Sequence, residues 1–399
     1  MLPQPAPHEY VGPLSGIKVL DLSRLLPGPL ASLVLADLGA DVDKVEDTSG
    51  GDYLRVMPPQ SGSGAEATSS IFLALNRNKR SAVLDLKKPK GKEALLRLAR
   101  CYDVVLEQFR PGVLDRLGLS HATLLAENPR LVVCALTGYG QTGPLAQRAG
   151  HDLNYLARAG VLGFQGPEGG PPTVPGFQLA DVSGGLYAVI GIMGALMDRA
   201  RTGKGSIVDV AMIETAMPFA IAGFGLAFGG QTPKAGGEAL VGGIAPYQTY
   251  ATKDGKAMSL AALEPKFWMA FSSGVGHEVD MSDLVPGPHQ VELKAKLSAI
   301  FAAKTRDEWV HYASERDCCL EPVLTPDEAR NDPHLVARKM FFEMASKWGP
   351  IQQMRTPLTP IDRAHRPPPS QGEHTLEILR EAGIAHDEIE AMRAEGAIR

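Results

Sequence analysis

The sequence predicts an α/β protein, with a Rossmann-like parallel sheet in a large domain and a second, smaller α+β domain. Two observations carry this. Apolar extended runs alternate with helical runs through the first third of the chain, the rhythm of βα units that build a parallel sheet covered on both faces. Beyond Gly229 the texture changes to a turn-rich stretch with an Asp-Gly hairpin signal, which a βα succession does not use.

The elements follow in order. IKVLDL from Ile17 alternates as a strand, LPGP at 26–29 breaks it, PLASLVLADLG has helical spacing, and DVDKVE at 41–46 is again extended. The period repeats with SAVLDL (81–86), a Lys-rich helix over 89–100, DVVLEQF (103–109) and LVVCALTG (131–138). A short helix is expected over 152–159, then a Gly/Pro-rich loop over 163–176 and a Gly-rich apolar helix from Asp181 to about Arg199, whose Met193 and Met197, with the later Met212, read as core. Asp254 and Gly255 sit between two β-prone runs and mark a hairpin. The domains expected are 1–228, large and ligand-binding; 229–335, small, with its linkers; and 336–399, a C-terminal segment returning to the large domain.

The 399 residues are 44% hydrophobic and carry a formal charge of −5, so no basic field exists to hold nucleic acid or an anionic membrane. Any phosphate must be met by a local cluster of cations. The four cysteines lack metal-ligand spacing, the N-terminal MLPQPAPHEYVGPLSG lacks a signal-peptide pattern, and no stretch reads as a membrane span, which together predict a cytoplasmic protein in a reducing compartment. No metal is expected.

Gly138, Gly140 and Gly143 form a GxGxxG after a strand, but Pro144 follows and no helix starts there, so a dinucleotide site is not expected. Arg77, Lys79, Arg80, Lys87 and Lys88 crowd one strand, a grouping able to neutralise phosphates, while the competing view is a solvated basic turn. Arg110 and Arg116 add cations past the next strand, at the sheet end where α/β ligands sit. His151 and Asp152 precede a helix, whose positive end lowers an imidazole pKa and stabilises a carboxylate or an enolate oxygen; a capping Asp beside a surface His is the plainer alternative. Asp181 opens the apolar helix as a cap or a pocket group, and Glu264 follows an apolar strand before a Pro.

Along nearly its whole length the chain resembles the family III CoA-transferase superfamily, the CaiB/BaiF type, in LSGIKVLDLSRLLPGPLASLVLADLGADVDKVE, LNRNKRSAVLDLK, FRPGVLDRLGL, LTGYGQTGP and DPHLVARKMFFE. Within it, GHDLNYLARAGVL, LADVSGGLYAVIGIMGALMDRARTGKGSIVDVAMIE and GGIAPYQTYATKDGKAMSLAALEPKFW look like the α-methylacyl-CoA racemases. That resemblance implies an intertwined homodimer, an acyl-CoA substrate and no cofactor beyond the coenzyme A of the substrate. It implies His151 and Asp181 as the acid/base pair, Glu264 as support, and Arg77, Arg80, Leu84, Lys87, Arg110, Arg116, Gly150 and Asn154 as the coenzyme A contacts. The transferases of the same superfamily use a carboxylate that becomes acylated, and it falls on Asp152, so CoA transfer stays open beside racemisation, with a non-catalytic acyl-CoA binder as the third possibility. Asp47 stands where the racemases carry an Arg toward the adenine end of the coenzyme.

Overall fold

A computed structural model describes residues 11–399, so the first ten residues of the N-terminal MLPQPAPHEYVGPLSG lie outside the described residues. The described chain falls into two units: one holds the residues up to Leu156 together with Phe177–Ala216 and Pro333–Arg399, the other holds Ala157–Gly176 and Met217–Asp332.

In the first unit, β1 (Lys18–Asp21) runs into α1 (Pro27–Asp37), which has Pro in its first turn, where its fixed φ fits and its missing N–H costs nothing. Then come β2 (Asp41–Glu46), the short pair β3 (Gln60–Ser61) and β4 (Thr68–Ser69), α2 (Ser70–Leu75), β5 (Lys79–Val83) and α3 (Pro89–Cys101). β6 (Val104–Glu107), α4 (Val113–Leu117), α5 (His121–Glu127), β7 (Val132–Thr137), α6 (Asp152–Arg158), α7 (Leu179–Thr202), β8 (Ser206–Ala211) and α8 (Met212–Ala216) complete it. The six main strands form one parallel sheet in the order β5-β2-β1-β6-β7-β8. β6 and β7 are buried throughout, as strands covered on both faces must be, and the order reverses between β1 and β6, which makes that carboxyl edge a ligand crevice by topology.

Gln108, just past β6, accepts the N–H groups of Arg24 and Gly28, both at 3.2 Å, and a Cβ at Gly28 would collide with Ser23 and this same amide. α7 lies against β7, β8 and α1. Its 24 residues are long and apolar enough by composition to cross a membrane, which corrects the expectation that no stretch approaches such a span; here the helix covers a sheet, and 44% of its most apolar window is buried. Met212 is buried, but Met197 is 74% exposed and is not the core residue expected.

The second unit has α9 (Ile221–Phe228) and a three-stranded antiparallel sheet, β11-β10-β9, whose hairpin β9 (Tyr247–Ala251) and β10 (Ala257–Ala261) turns at Asp254 and Gly255 as the sequence predicts. With β11 (Leu320–Pro322), α10 (Pro265–Val275), α11 (Gln290–Phe301) and α12 (Arg306–Ser314) it encloses an aromatic core of Trp268, Phe271, Phe301, Trp309 and Tyr312. The chain then re-enters the first unit through the hairpin β12 (Phe341–Ser346) and β13 (Gly349–Met354), and the helices Thr375–Glu381 and His386–Ala394 bury Ile378, Leu379, Ile389 and Met392 in the cluster that includes Leu95 and Leu98 of α3.

Candidate active site

The sequence offers His151, Asp152 and Asp181 as helix-start residues, and the structure brings the starts of α6 and α7 together. His151 immediately precedes α6: its carbonyl accepts the N–H of Asn154 at 2.8 Å, and its own N–H donates to the Asn154 side-chain oxygen at 3.0 Å. This reciprocal pair fixes the first turn, so Asn154 serves the backbone that carries His151. The His151 side chain itself is exposed.

Asp181 is the third residue of α7 rather than its cap, and the cap residue, Gln178, makes no side-chain cap bond. The missing acceptor comes from α6. Asp152 Oδ1 accepts the N–H groups of Ala180 at 2.7 Å and Asp181 at 3.1 Å, satisfying two donors that the helix cannot satisfy internally. One carboxylate thus ties the two helix openings together.

Two opposing effects act on Asp181. The positive end of α7 favours its charged form by roughly 0.3–1 kcal/mol. Burial and, after it, the Asp152 charge disfavour that form and prevail, lifting the carboxyl from the ordinary 3.8 to about 6. A carboxyl that titrates there can both accept and deliver a proton near neutral pH.

Tyr155, which the sequence reading does not single out, lies one turn into α6 and is buried at 6% exposure. Its hydroxyl donates to the Gly150 carbonyl at 2.6 Å, its ring meets Tyr139 edge-on at 5.1 Å, and Cβ atoms at Gly138 or Gly150 would run into that ring. The first glycine of the GxGxxG therefore makes room for a tyrosine ring, and no helix begins between β7 and α6. The only sequence signal for Tyr155 is its place four residues after His151, on the inward side of a short helix.

The proposed phosphate contacts separate into two groups. Arg77 is fully buried, with Asp37 Oδ2 at 2.5 Å and Gln353 Oε1 at 3.0 Å, so it is a core cation and not a phosphate ligand. Arg80 is enclosed by Asp43, Glu377 and Glu381 at 2.7 to 2.8 Å, and Leu84, 1% exposed, packs among the core residues around α3. Arg77 is thus a correction, while Arg80 is part-buried and is held by one buried carboxylate, Asp43, and two exposed ones, Glu377 and Glu381. Lys87, Arg110 and Arg116 are exposed, as is Lys88. Gly150 serves the Tyr155 hydroxyl described above. Among the described residues no group of three or more His, Cys, Asp or Glu side chains is placed to hold a metal.

Glu264 belongs to the second unit, where it precedes α10, is exposed and makes no side-chain cap bond. Asp47 folds its own loop by accepting the N–H groups of Ser49 at 2.7 Å and Gly51 at 3.2 Å. Beneath that loop lies a buried ionic layer that the sequence does not announce. Lys44 contacts Asp52 at 3.0 Å, Arg55 contacts Glu46 at 2.6 Å, and Asp52 also accepts the N–H of Leu25, whose φ of +64° is costly for a leucine. Burial works against the Glu46 charge, but the Arg55 hydrogen bond and charge outweigh it and bring the carboxyl down to about 2. This layer sets the loops at the carboxyl ends of β1 and β2.

Comparison with known proteins follows the same line. The chain is 38% identical to the human α-methylacyl-CoA racemase over 96% of its own length and 97% of that protein. It is 34% identical to a succinate–glutarate CoA-transferase of Agrobacterium fabrum, over 92% and 95% of the two chains. Its fold matches the crystal structure of a CaiB/BaiF family protein from Brucella suis with a TM-score of 0.81 and 34% identity, over 93% of this chain and 99% of that one. With residues 14–375 also matching the family model, the chain belongs to CoA-transferase family III.

Proposed function

We propose that the protein is a 2-methylacyl-CoA racemase, which moves a proton at the α-carbon of an acyl-CoA thioester through an enolate and needs no cofactor beyond the coenzyme A of its substrate. The observation that supports this reading is the Asp152 bridge between the openings of α6 and α7, beside which His151 precedes one helix and Asp181, with its carboxyl raised to about 6, lies in the first turn of the other. The identity to a protein named α-methylacyl-CoA racemase supports it.

Neutral His151 takes the α-proton of one enantiomer and becomes imidazolium, and the electron pair passes to the thioester oxygen. The Asp181 carboxyl then delivers its proton to the opposite face of the α-carbon and is left as carboxylate. The other enantiomer runs the same steps in reverse. Two positioned acid/base groups contribute about 10² to 10⁴ each, so the enolate oxygen needs stabilisation as well, for which the backbone N–H groups at the start of α6, Asp152 first, are our assignment. Lys87, Lys88, Arg110 and Arg116 are exposed cations able to meet the coenzyme phosphates.

The alternative, CoA transfer between carboxylic acids through an acylated Asp152, is favoured by the likeness to a named CoA-transferase. Against it stands the engagement of Asp152 Oδ1 with two N–H groups, which stabilises the anion and reduces its nucleophilicity. The test is His151→Ala: racemisation should fall by about 10² or more with acyl-CoA affinity retained. Near-wild-type turnover, or an acyl-enzyme trapped by hydroxylamine at Asp152, would overturn the racemase assignment.

A further inference from the structure

We infer that Tyr155 is a positioning residue for proton transfer: its ring and its hydroxyl fix the turn that presents His151. The inference rests on the racemase reading and deepens it.

The connection between β7 and His151 spans 138–150, has no regular secondary structure, and is exposed over much of its length. A chain of that kind transmits position poorly, because each residue adds torsional freedom. Yet both of its ends touch one ring. Gly138, the first residue past β7, and Gly150, the residue before His151, each approach the Tyr155 ring so closely that neither has room for a Cβ; at Gly150 the added atom would lie 2.7 Å from Tyr155 Cε1 and 3.1 Å from Tyr139 Oη. The ring thereby references His151 to the end of a fully buried strand and bypasses the loop.

The hydroxyl completes the clamp. Buried phenols require a partner, and this one donates to the Gly150 carbonyl at 2.6 Å, setting the peptide plane that leads directly into His151. Burial first, and the Asp181 charge after it, raise the phenol to about 12, so it remains a donor across the working pH range. Tyr155 touches the carbonyl before one proton-transfer group and lies within electrostatic reach of the other. It acts through the backbone and has no call to contact substrate.

Misplacing a reacting group by about 1 Å costs on the order of 10² in rate, and losing one hydrogen bond with the ring retained should cost less. For Tyr155→Phe in the full-length protein we expect kcat for racemisation to fall about 10-fold, with KM for the acyl-CoA within about twofold. A merely structural role would not separate the two faces of the substrate, so α-deuterium exchange in D2O is followed from each enantiomer alone. Exchange should slow for the enantiomer deprotonated by His151 and persist for the one deprotonated by Asp181. Gly138→Ala, which keeps the phenol but drives a methyl group against both its ring and its hydroxyl oxygen, should reproduce the same asymmetry and serves if Tyr155→Phe does not fold. Wild-type kcat in both variants, or an equal loss from both enantiomers, overturns the positioning role while leaving the racemase reading intact. Absence of exchange in the wild-type protein removes that reading and this inference with it.

Discussion

At the residue scale the decisive side chain is Asp152, because one carboxylate caps α7 and adds its charge to the burial that raises the Asp181 pKa. Asp152→Asn keeps an acceptor for the two N–H groups and deletes the charge, so the Asp181 carboxyl should titrate below about 6 and the acidic limb of the kcat/KM profile should move down in pH. An unmoved acidic limb contradicts the electrostatic link. Arg77 makes the opposite case. Arg77→Ala removes the guanidinium that pairs with the buried Asp37, leaving that carboxylate to the donors of Asn78, Thr356 and Thr359, and by analogy with other broken buried pairs should destabilise the protein by about 3–5 kcal/mol in denaturant unfolding. A phosphate ligand would instead show a raised KM with unchanged stability.

At the scale of elements, the sequence makes regular structure legible wherever periodicity is local. β1, β2, β6, β7, the 89–101 helix and the β9–β10 hairpin all lie where alternation, helical spacing or Asp-Gly place them. β8 goes unassigned because SIVDVA is a half-exposed edge strand with little contrast between its faces. The site is legible by residue type and not by partnership. Nothing local says that a carboxylate at 152 caps a helix starting at 179, or that Asp37 neutralises Arg77 forty residues later. Local charge density therefore mistakes a core cation such as Arg77 for a ligand cation, and Asp181 reads as a cap of its own helix when the capping oxygen comes from Asp152 on α6. The shared cap has a measurable weight: Asp152→Ala, which leaves Ala180 and Asp181 without an acceptor, should cost about 0.5–2 kcal/mol in urea unfolding, and Asp152→Asn much less.

At the scale of the whole molecule, the net charge of −5 leaves substrate phosphates to local cations, so ionic strength should weaken acyl-CoA binding mainly through exposed residues such as Lys87 and Arg110. The buried ionic layer under β1 and β2 governs acid stability. Glu46 titrates at about 2 in the folded chain against an ordinary 4.5, so its contribution is present above 4.5 and is lost as pH falls toward 2. Asp21 and Asp37, also held below the ordinary carboxylate range despite burial, by Lys44 and Arg77 respectively, act in the same direction. Acid unfolding followed by circular dichroism should therefore steepen below pH 4.5, and Glu46→Gln should flatten that dependence. Racemisation by the intact protein is tested by incubating the wild-type enzyme in D2O with a single enantiomer of a 2-methylacyl-CoA and no acceptor acid, and following the α-carbon by NMR. Deuterium incorporation with conversion to the other enantiomer is the predicted result; a fully protonated α-carbon, with CoA moving only after a second carboxylic acid is added, would contradict it.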